Sequence, residues 1–371
     1  MVDENSTAEQ FDWGNQSSNY IPYERRPETY IVPVLFTLIF VIGSIGNGVL
    51  VFIFLRHKSM RNIPNTFIIC LAIGDLFVII GTVPFIGVIY AIESWPFGIF
   101  VCKASEFFRD MSTTVSVFTL TLLSIDRYFA IAMPLQKTRG KQSMRITTIS
   151  AASIWLVAII FALPAAYNSH LIEYSTGVSK VIKICFPFPS EYGNWYPKTV
   201  VMSKFLILYT IPLTIIAISY CLMAMSLLQS RRFPTENSPR LTRQFKSRTK
   251  VAKMVLALVL IFALCYFPNH VFMLWFYFTY PRSLSNYNDF WHLLKIIGYV
   301  LTFLNSCLNP IALYYISGRF RAYFRRYIFC RLKSVHQFQR SAQIQMTNSE
   351  DSYKSTSNHF SASSKFNSTQ V

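Results

Sequence analysis

This sequence predicts an all-α membrane protein, a bundle of seven transmembrane helices with a short amphipathic eighth helix, on three observations. Only 14% of its 371 residues are charged while 52% are hydrophobic, where an average soluble chain carries about 25% charged residues. Seven apolar stretches each reach the roughly 20 residues a helix needs to cross a bilayer. The Lys and Arg behind a formal net charge of +18 fall into alternate connecting loops and do not form one patch.

The stretches run from Tyr30 to Leu55, Asn65 to Ile89, Cys102 to Met133, Ile146 to Tyr167, Val200 to Leu228, Val251 to Phe278 and Leu293 to Ile316. Hydrocarbon offers a backbone no partner, so each stretch must satisfy its own N–H and C=O groups as a helix. Arg56, Lys58 and Arg61 occupy the first connection, and Lys137, Arg139, Lys141 and Arg145 the third. The fifth holds Arg231, Arg232, Arg240, Arg243, Lys246, Arg248 and Lys250. By the positive-inside rule these connections are cytoplasmic. Basic charge therefore reports topology and contact with anionic membrane lipid, and nucleic acid is not an expected partner.

The N-terminal tail is then extracellular. It is acidic (Asp3, Glu4, Glu9, Asp12), it has no charged-then-apolar signal peptide, and its two sequons make Asn5 and Asn15 glycosylation candidates. Cys102 opens the third span and Cys185 lies in the connection between the fourth and fifth, both on the oxidising side, so a disulfide is expected. Two free thiols are the alternative. Residues 173–183 place β-branched side chains on either side of Gly177, which reads as a β-hairpin over the outer mouth. Cys70, Cys221, Cys265 and Cys307 fall inside spans and read as packing residues.

The expected organisation is a tail over 1–29, the bundle over 30–316, a surface helix over 317–330 and a disordered cytoplasmic tail over 331–371. From Gly318 to Tyr327, aromatic and Arg residues alternate at helical spacing, as in a helix lying at the lipid interface. Cys330, just beyond, is a palmitoylation candidate. The last segment is rich in Ser and Thr and suits multiple phosphorylation. It closes on Thr369-Gln370-Val371, a short match to a PDZ-domain ligand.

Three clusters carry chemistry. Asp75 sits in the second span, where an unpaired carboxylate costs about 2.5 to 3.5 kcal/mol even on a lenient insertion scale. By depth its partners are Ser116, Asn305 and Ser306, a set able to hold a small cation such as sodium. A protonated Asp bonded for packing alone is the alternative. Glu106, Arg109 and Asp110 share one helical face below Cys102 and can line a polar ligand cavity. An internal salt bridge or interfacial snorkelling is the competing reading. The third cluster is Asp126-Arg127-Tyr128 at the inner end of the same span, followed by Met133-Pro134-Leu135.

That last triplet resembles the switch of rhodopsin-like G-protein-coupled receptors, and the other helices supply matching signatures in order. These are Gly46-Asn47, Leu71-Ala72 with Asp75-Leu76, Trp155, Pro212 with Tyr220, Phe262 with Cys265 and Pro268, and Asn309-Pro310. Within this class, residues 115–121, 265–270 and 305–314 are most similar to bombesin-type peptide receptors and their arthropod relatives, the CCHamide receptors. Endothelin receptors share the first and last passages. Departures from the common pattern are Tyr266 where Trp is usual, basic residues 246–250 where some members place a locking Glu, and Tyr314 one position late.

The resemblance implies a plasma-membrane receptor, not an enzyme, that binds an amidated extracellular neuropeptide and activates a heterotrimeric G protein, of the Gq type with calcium mobilisation. It implies receptor kinase and arrestin as partners of the tail. It assigns Glu106, Arg109, Asp110, Asn269 and His270 to the ligand cavity, to which depth adds Trp275, Lys295 and Tyr299. It assigns Asp126, Arg127, Tyr128, Tyr220, Phe262, Tyr266, Pro268, Asn309, Pro310 and Tyr314 to the switch. His270 equally suits a core position. Another amidated or endothelin-like peptide is the alternative ligand. A secondary transporter would show paired repeats, and none is found. An intramembrane aspartyl protease would need a second Asp at the depth of Asp75, whereas Asp110 and Asp126 lie toward opposite ends.

Overall fold

The structure, a computed structural model, describes residues 25–60, 62–132, 141–176, 180–232 and 239–328. Asn5, Asn15, Met133-Pro134-Leu135, Gly177, Cys330 and Thr369–Val371 lie outside the described residues, as do residues 1–24 of the tail expected over 1–29 and the whole tail expected over 331–371. Among the described residues, seven helical stretches are long and apolar enough to cross a membrane. They are Glu28–Arg56, Ile63–Ile92, Gly98–Ala132, Met144–Asn168, Trp195–Leu228, Arg248–Thr279 and Asp289–Ile316.

The helices are α1 (Glu28–Arg56), α2 (Ile63–Gly81), α3 (Val83–Ile92), α4 (Gly98–Ala132), α5 (Lys141–Asn168), α6 (Trp195–Phe205), α7 (Ile211–Arg232), α8 (Pro239–Thr279), α9 (Arg282–Ser285), α10 (Asp289–Ile316) and α11 (Gly318–Ile328). On α1 the buried residues Val32, Phe36, Ile39, Gly43, Asn47, Leu50 and Ile53 follow one another at intervals of three or four, so a single face packs inward. Its opposite face keeps Ile31, Val34, Leu38, Ile42 and Ile45 exposed, as lipid contact requires. The third span, α4, packs against the second, fourth, fifth and sixth and, among the described residues, carries more buried polar side chains than any other span.

Two expected continuous helices are interrupted. The second span breaks at Thr82, where Pro84 has no N–H to continue the ladder and Thr82 adopts φ −134° and ψ −49°. The Thr82 hydroxyl donates to the Ser105 carbonyl at 2.9 Å, which fixes the break to the third span. In the fifth span, Leu206–Thr210 forms a π-helical segment between α6 and α7. The sixth helix is longer than its apolar stretch. It begins at Pro239, so the basic residues 246–250 expected near a loop lie on helix.

Close backbone approach joins the sixth and seventh spans. A Cβ on Gly298 would stand 2.7 Å from the Asn269 nitrogen and 2.9 Å from its Cα. Backbone cannot yield as a side chain can. Gly298→Ala is therefore expected to destabilise the fold by about 1–3 kcal/mol, read as a lower melting midpoint of the detergent-purified protein. An unchanged midpoint would contradict the approach.

The hairpin pairs β1 (His170–Thr176) antiparallel with β2 (Lys180–Phe186), Leu171 opposite Cys185 and Glu173 opposite Lys183. Cys185 is bonded to Cys102. Trp95 N donates to the Lys183 carbonyl at 2.8 Å, and Lys183 N donates to the Ser94 hydroxyl at 3.1 Å. The hairpin is thus held at the start of the third span. At the same end, His292 bridges Glu28 and Tyr287, each at 3.1 Å. Burial, then the neighbouring Glu28, pushes the Tyr287 phenol up to about 12.

Residues from Leu313 onward form a separate unit. There α11 buries Phe320, Tyr323 and Phe324 on one face, where the alternating pattern predicted an amphipathic helix. Tyr314 meets the edge of Phe324 at 6.1 Å between centroids and accepts from Arg325 Nε at 3.4 Å.

Candidate functional site

The charged face of the third span forms the first site. Helical spacing brings Glu106, Arg109 and Asp110 to one side, and Glu106 and Asp110 are each only 6% exposed. Arg109 is bonded to Glu106, stands 3.9 Å from Asp110, and reaches the Tyr299 hydroxyl of the seventh span at 3.5 Å. Asp110 receives a second cation: Lys204 Nζ of the fifth span lies 2.6 Å from its Oδ2. The face is therefore tied to the seventh span on one side and the fifth on the other. The pairs are those of the salt-bridge reading, and they lie within the bundle on the side of the hairpin.

The other residues expected in the cavity divide. His270 sits among rings, 4.7 Å from Tyr209, 5.5 Å from Phe205 and 6.4 Å from Tyr266. Asn269 lies at the close approach to Gly298. Trp275 stacks face to face on Trp291 at 3.7 Å with planes 5° apart, joining the sixth and seventh spans near their hairpin-side ends. Lys295 is exposed and makes no ion pair among the described residues.

Sequence reasoning missed Lys204, Tyr209 and Trp291. The first was legible, since a Lys inside an apolar stretch is by default a functional candidate. Trp291 precedes the apolar stretch from which the seventh span was read. Tyr209 carried no signal, because nothing local announces the π segment that places it.

Below the charged face lies the aromatic pivot. Tyr266 stacks on Phe262 at 4.5 Å, and its hydroxyl pairs with Thr113 at 3.2 Å. Pro268 leaves the carbonyl of Leu264 without its usual donor and permits a kink. One residue earlier, the Ala263 carbonyl accepts from the Tyr209 hydroxyl at 3.0 Å. The π segment is thus bonded to the sixth span beside its weak point.

The buried polar network centres on Asp75 of the second span. Asn309 Nδ2 donates to Asp75 Oδ2 at 2.8 Å, although Ser116, Asn305 and Ser306 were the expected partners. A carboxyl oxygen needs a donor, and the Asn309 amide supplies one. The other carboxyl oxygen, Asp75 Oδ1, has no hydrogen-bond partner among the described residues. Ser116 Oγ and Asn305 Oδ1 are buried without a hydrogen-bond partner among the described residues. Asn47 ties the first span to the seventh through the Ser306 carbonyl at 2.9 Å. A Cβ on Gly46 would meet Pro310 at 2.9 Å.

At the end away from the hairpin, Arg127 is 6% exposed and bonded to Asp126, and its Nε has no partner among the described residues. Arg248 of the sixth span donates to the Ala130 carbonyl at 2.7 Å. Tyr220 of the fifth donates to the Ala252 carbonyl of the sixth, also at 2.7 Å. The expectation that no carboxylate lock stands at residues 246–250 leaves these neutral acceptors to join the spans. Tyr128 packs on Ile131, Met223 and Ala252. Tyr220, assigned with Arg127 to the switch, is here engaged with the sixth helix.

Seven membrane-spanning helices, an inward-facing charged cluster beneath a disulfide-held hairpin and an Asp-Arg-Tyr with its Arg127 buried at the other end define a seven-helix membrane receptor, and the chain belongs to the rhodopsin family of seven-transmembrane receptors. Residues 46–314 match the family described as "7 transmembrane receptor (rhodopsin family)". The chain is 52% identical over 316 residues to the neuropeptide CCHamide-1 receptor of Drosophila melanogaster, covering 84% of this chain and 63% of that receptor's length. It is 38% identical over 302 residues to a bombesin receptor of Bombina orientalis, covering 81% of this chain and 76% of that one. Bombesin receptor subtype-3 of Ovis aries is also 38% identical, over 300 residues, covering 80% and 74%. The family is one of multi-pass membrane receptors, not enzymes.

Proposed function

We propose that this chain is a plasma-membrane receptor for a neuropeptide of the CCHamide or bombesin-like type that activates a heterotrimeric G protein, of the Gq type with calcium mobilisation. The observation that carries the reading is the third span itself. It holds the charged face under the disulfide at one end and Asp126-Arg127-Tyr128 at the other, in a chain 52% identical to a CCHamide-1 receptor. The hairpin end faces the extracellular side with the N-terminus, as the loop charges argue.

Ligand binding shifts a two-state equilibrium only through different affinities for the two states. The charged face sits where it can do so, because an ion pair joins the third span to the fifth and a hydrogen bond joins it to the seventh. A small displacement there reaches Tyr209, Tyr266 and Phe262 beside the Pro268 kink. Swinging the inner half of the sixth span would break the Arg248–Ala130 and Tyr220–Ala252 bonds and free Arg127 for the G protein. The test is a calcium assay on cells expressing the chain, challenged with CCHamide-1 and bombesin peptides. A saturable response to the first is expected, and silence to both at proven surface expression would defeat the reading.

Two further expectations follow from the same account. Arg248→Met should raise ligand-independent nucleotide exchange by about tenfold to a hundredfold, since a hydrogen bond from a charged donor holds the closed arrangement by about 1.5–3 kcal/mol. Unchanged basal exchange would give Arg248 no part in closure. The unsatisfied oxygens of Ser116 and Asn305 around Asp75 suit an oxygen-coordinated monovalent cation, and sodium there would neutralise the carboxylate. Replacing sodium by a bulky organic cation should then raise agonist affinity in the wild type and leave Asp75→Asn unaffected. Equal sodium response in both would exclude the site.

Glycosylation at Asn5 and Asn15, palmitoylation at Cys330, lipid contact along α11, receptor kinase and arrestin at the Ser/Thr-rich tail, and a PDZ domain at Thr369–Val371 complete the proposal. Each rests on sequence pattern.

A further inference from the structure

The hairpin has two edges, and they are unequal. Trp95 N donates to the Lys183 carbonyl and Lys183 N donates to the Ser94 hydroxyl, so both backbone groups of Lys183 point away from β1. In an antiparallel ladder, residues directly opposite each other either exchange both bonds or both turn away. Glu173, the register partner of Lys183, therefore sends its own N–H and C=O out from the far side of β1. Leu171, two residues back on the same strand, does the same. Among the described residues nothing bonds these outward groups. The β2 edge is closed by the connection between the second and third spans, and the β1 edge is open.

An open edge is a template for another strand, and proteins with no use for one blunt it with Pro, charge or a bulge. β1 has no Pro, and its pairing with β2 runs without a bulge from His170 to Thr176. Its one acidic side chain is engaged across the hairpin, Glu173 with Lys183 Nζ at 2.9 Å. The strand also begins beside the head of the third span, where the His170 carbonyl oxygen lies 3.8 Å from the Cys102 sulfur and β1 packs against α4.

We infer that β1 is a docking edge for the main chain of the peptide ligand, which adds to the hairpin as a third strand. Chemistry sets the occupant: N–H and C=O groups offered at every second residue are matched by a partner that carries the same groups at the same spacing, an extended polypeptide. The inference rests on the peptide-receptor reading above and adds how the ligand's backbone is held. Main-chain bonds give affinity that is largely independent of the ligand's side chains, so discrimination among peptides falls to contacts elsewhere.

The test removes one outward N–H. Glu173→Pro deletes a donor that the β1–β2 ladder does not use, at the kind of edge position where Pro is tolerated. The melting midpoint of the full-length detergent-purified variant should therefore stay within about 2 °C of wild type. Binding of CCHamide-1 peptide, or of bombesin if that is the one that binds, should weaken by about tenfold or more, through the lost bond and the ring in the strand's path. Glu173→Ala keeps the N–H while losing the exposed pair with Lys183, and should stay within about threefold. A second measurement needs no receptor variant. N-methylation of the peptide's backbone amides, one at a time, should weaken binding to the wild type at alternate residues of one run, the period of a strand. This scan decides the matter if Glu173→Pro does not survive purification.

Full affinity in a folded Glu173→Pro, or a scan without alternation, would overturn the inference and leave the receptor reading standing. Silence of the wild type to both peptides would be failure of that reading and would take this inference with it.

Discussion

Arg127→Ala is expected to abolish agonist-stimulated nucleotide exchange on the G protein while peptide affinity stays within about threefold of wild type. Eighteen residues separate Arg109 from Arg127 on one helix, roughly 27 Å at 1.5 Å per residue. Loss of the inner guanidinium therefore leaves the cavity floor untouched. What it removes is the group that Asp126 holds in the closed bundle, one whose Nε is buried without a partner among the described residues. Such a group is available for new bonds once the sixth span moves. Radioligand binding and exchange measured on the same membranes separate the two effects. Loss of binding with normal basal exchange would contradict the assignment.

Cys102→Ser and Cys185→Ser should each reduce surface peptide binding by about a hundredfold or more, and the double variant should be no worse than either single one. The bond closes a loop of sequence separation 83, worth about 4–5 kcal/mol on a chain-entropy account. It also holds β2 at the head of the third span, where Trp95 and Ser94 add only two hydrogen bonds. Without it, the hairpin is free to leave the cavity mouth. Full affinity in either single variant would remove the tether from the account.

The seven spans were legible because a bilayer imposes a length and a composition that few other folds share. The interruptions inside them were not. Pro84 could signal a break, but Thr82 is fixed by a hydroxyl bond to Ser105 that no local pattern announces. The π segment has no sequence signature either, and its position decides where Tyr209 points. For the site, intrahelical spacing gave Glu106, Arg109 and Asp110 at once, because i, i+3 and i+4 share a face. Partners on other helices were harder. Depth counting offered Ser116, Asn305 and Ser306 to Asp75, yet Asn309, one turn beyond Asn305, makes a bond. Counting residues gives height along a helix and says little of rotation about its axis. For the same reason the sequence marks Lys204 as a charge inside an apolar stretch but does not say that its ammonium meets Asp110.

At the inner end, the sequence departure was informative. Basic residues at 246–250 exclude a carboxylate clasp on Arg127, and Arg248 instead donates to the Ala130 backbone. A backbone acceptor is insensitive to side-chain substitution on the third span, so this bond depends on the sixth span's residue alone.

The central claim, that ligand at the charged face of the third span drives exchange through Arg127, is tested most directly with purified receptor, purified Gq heterotrimer and CCHamide-1 peptide in lipid nanodiscs. The account predicts saturable peptide-dependent nucleotide exchange in the wild type and none in Arg127→Ala, at matched peptide binding. Peptide-dependent exchange that persists in Arg127→Ala would contradict it.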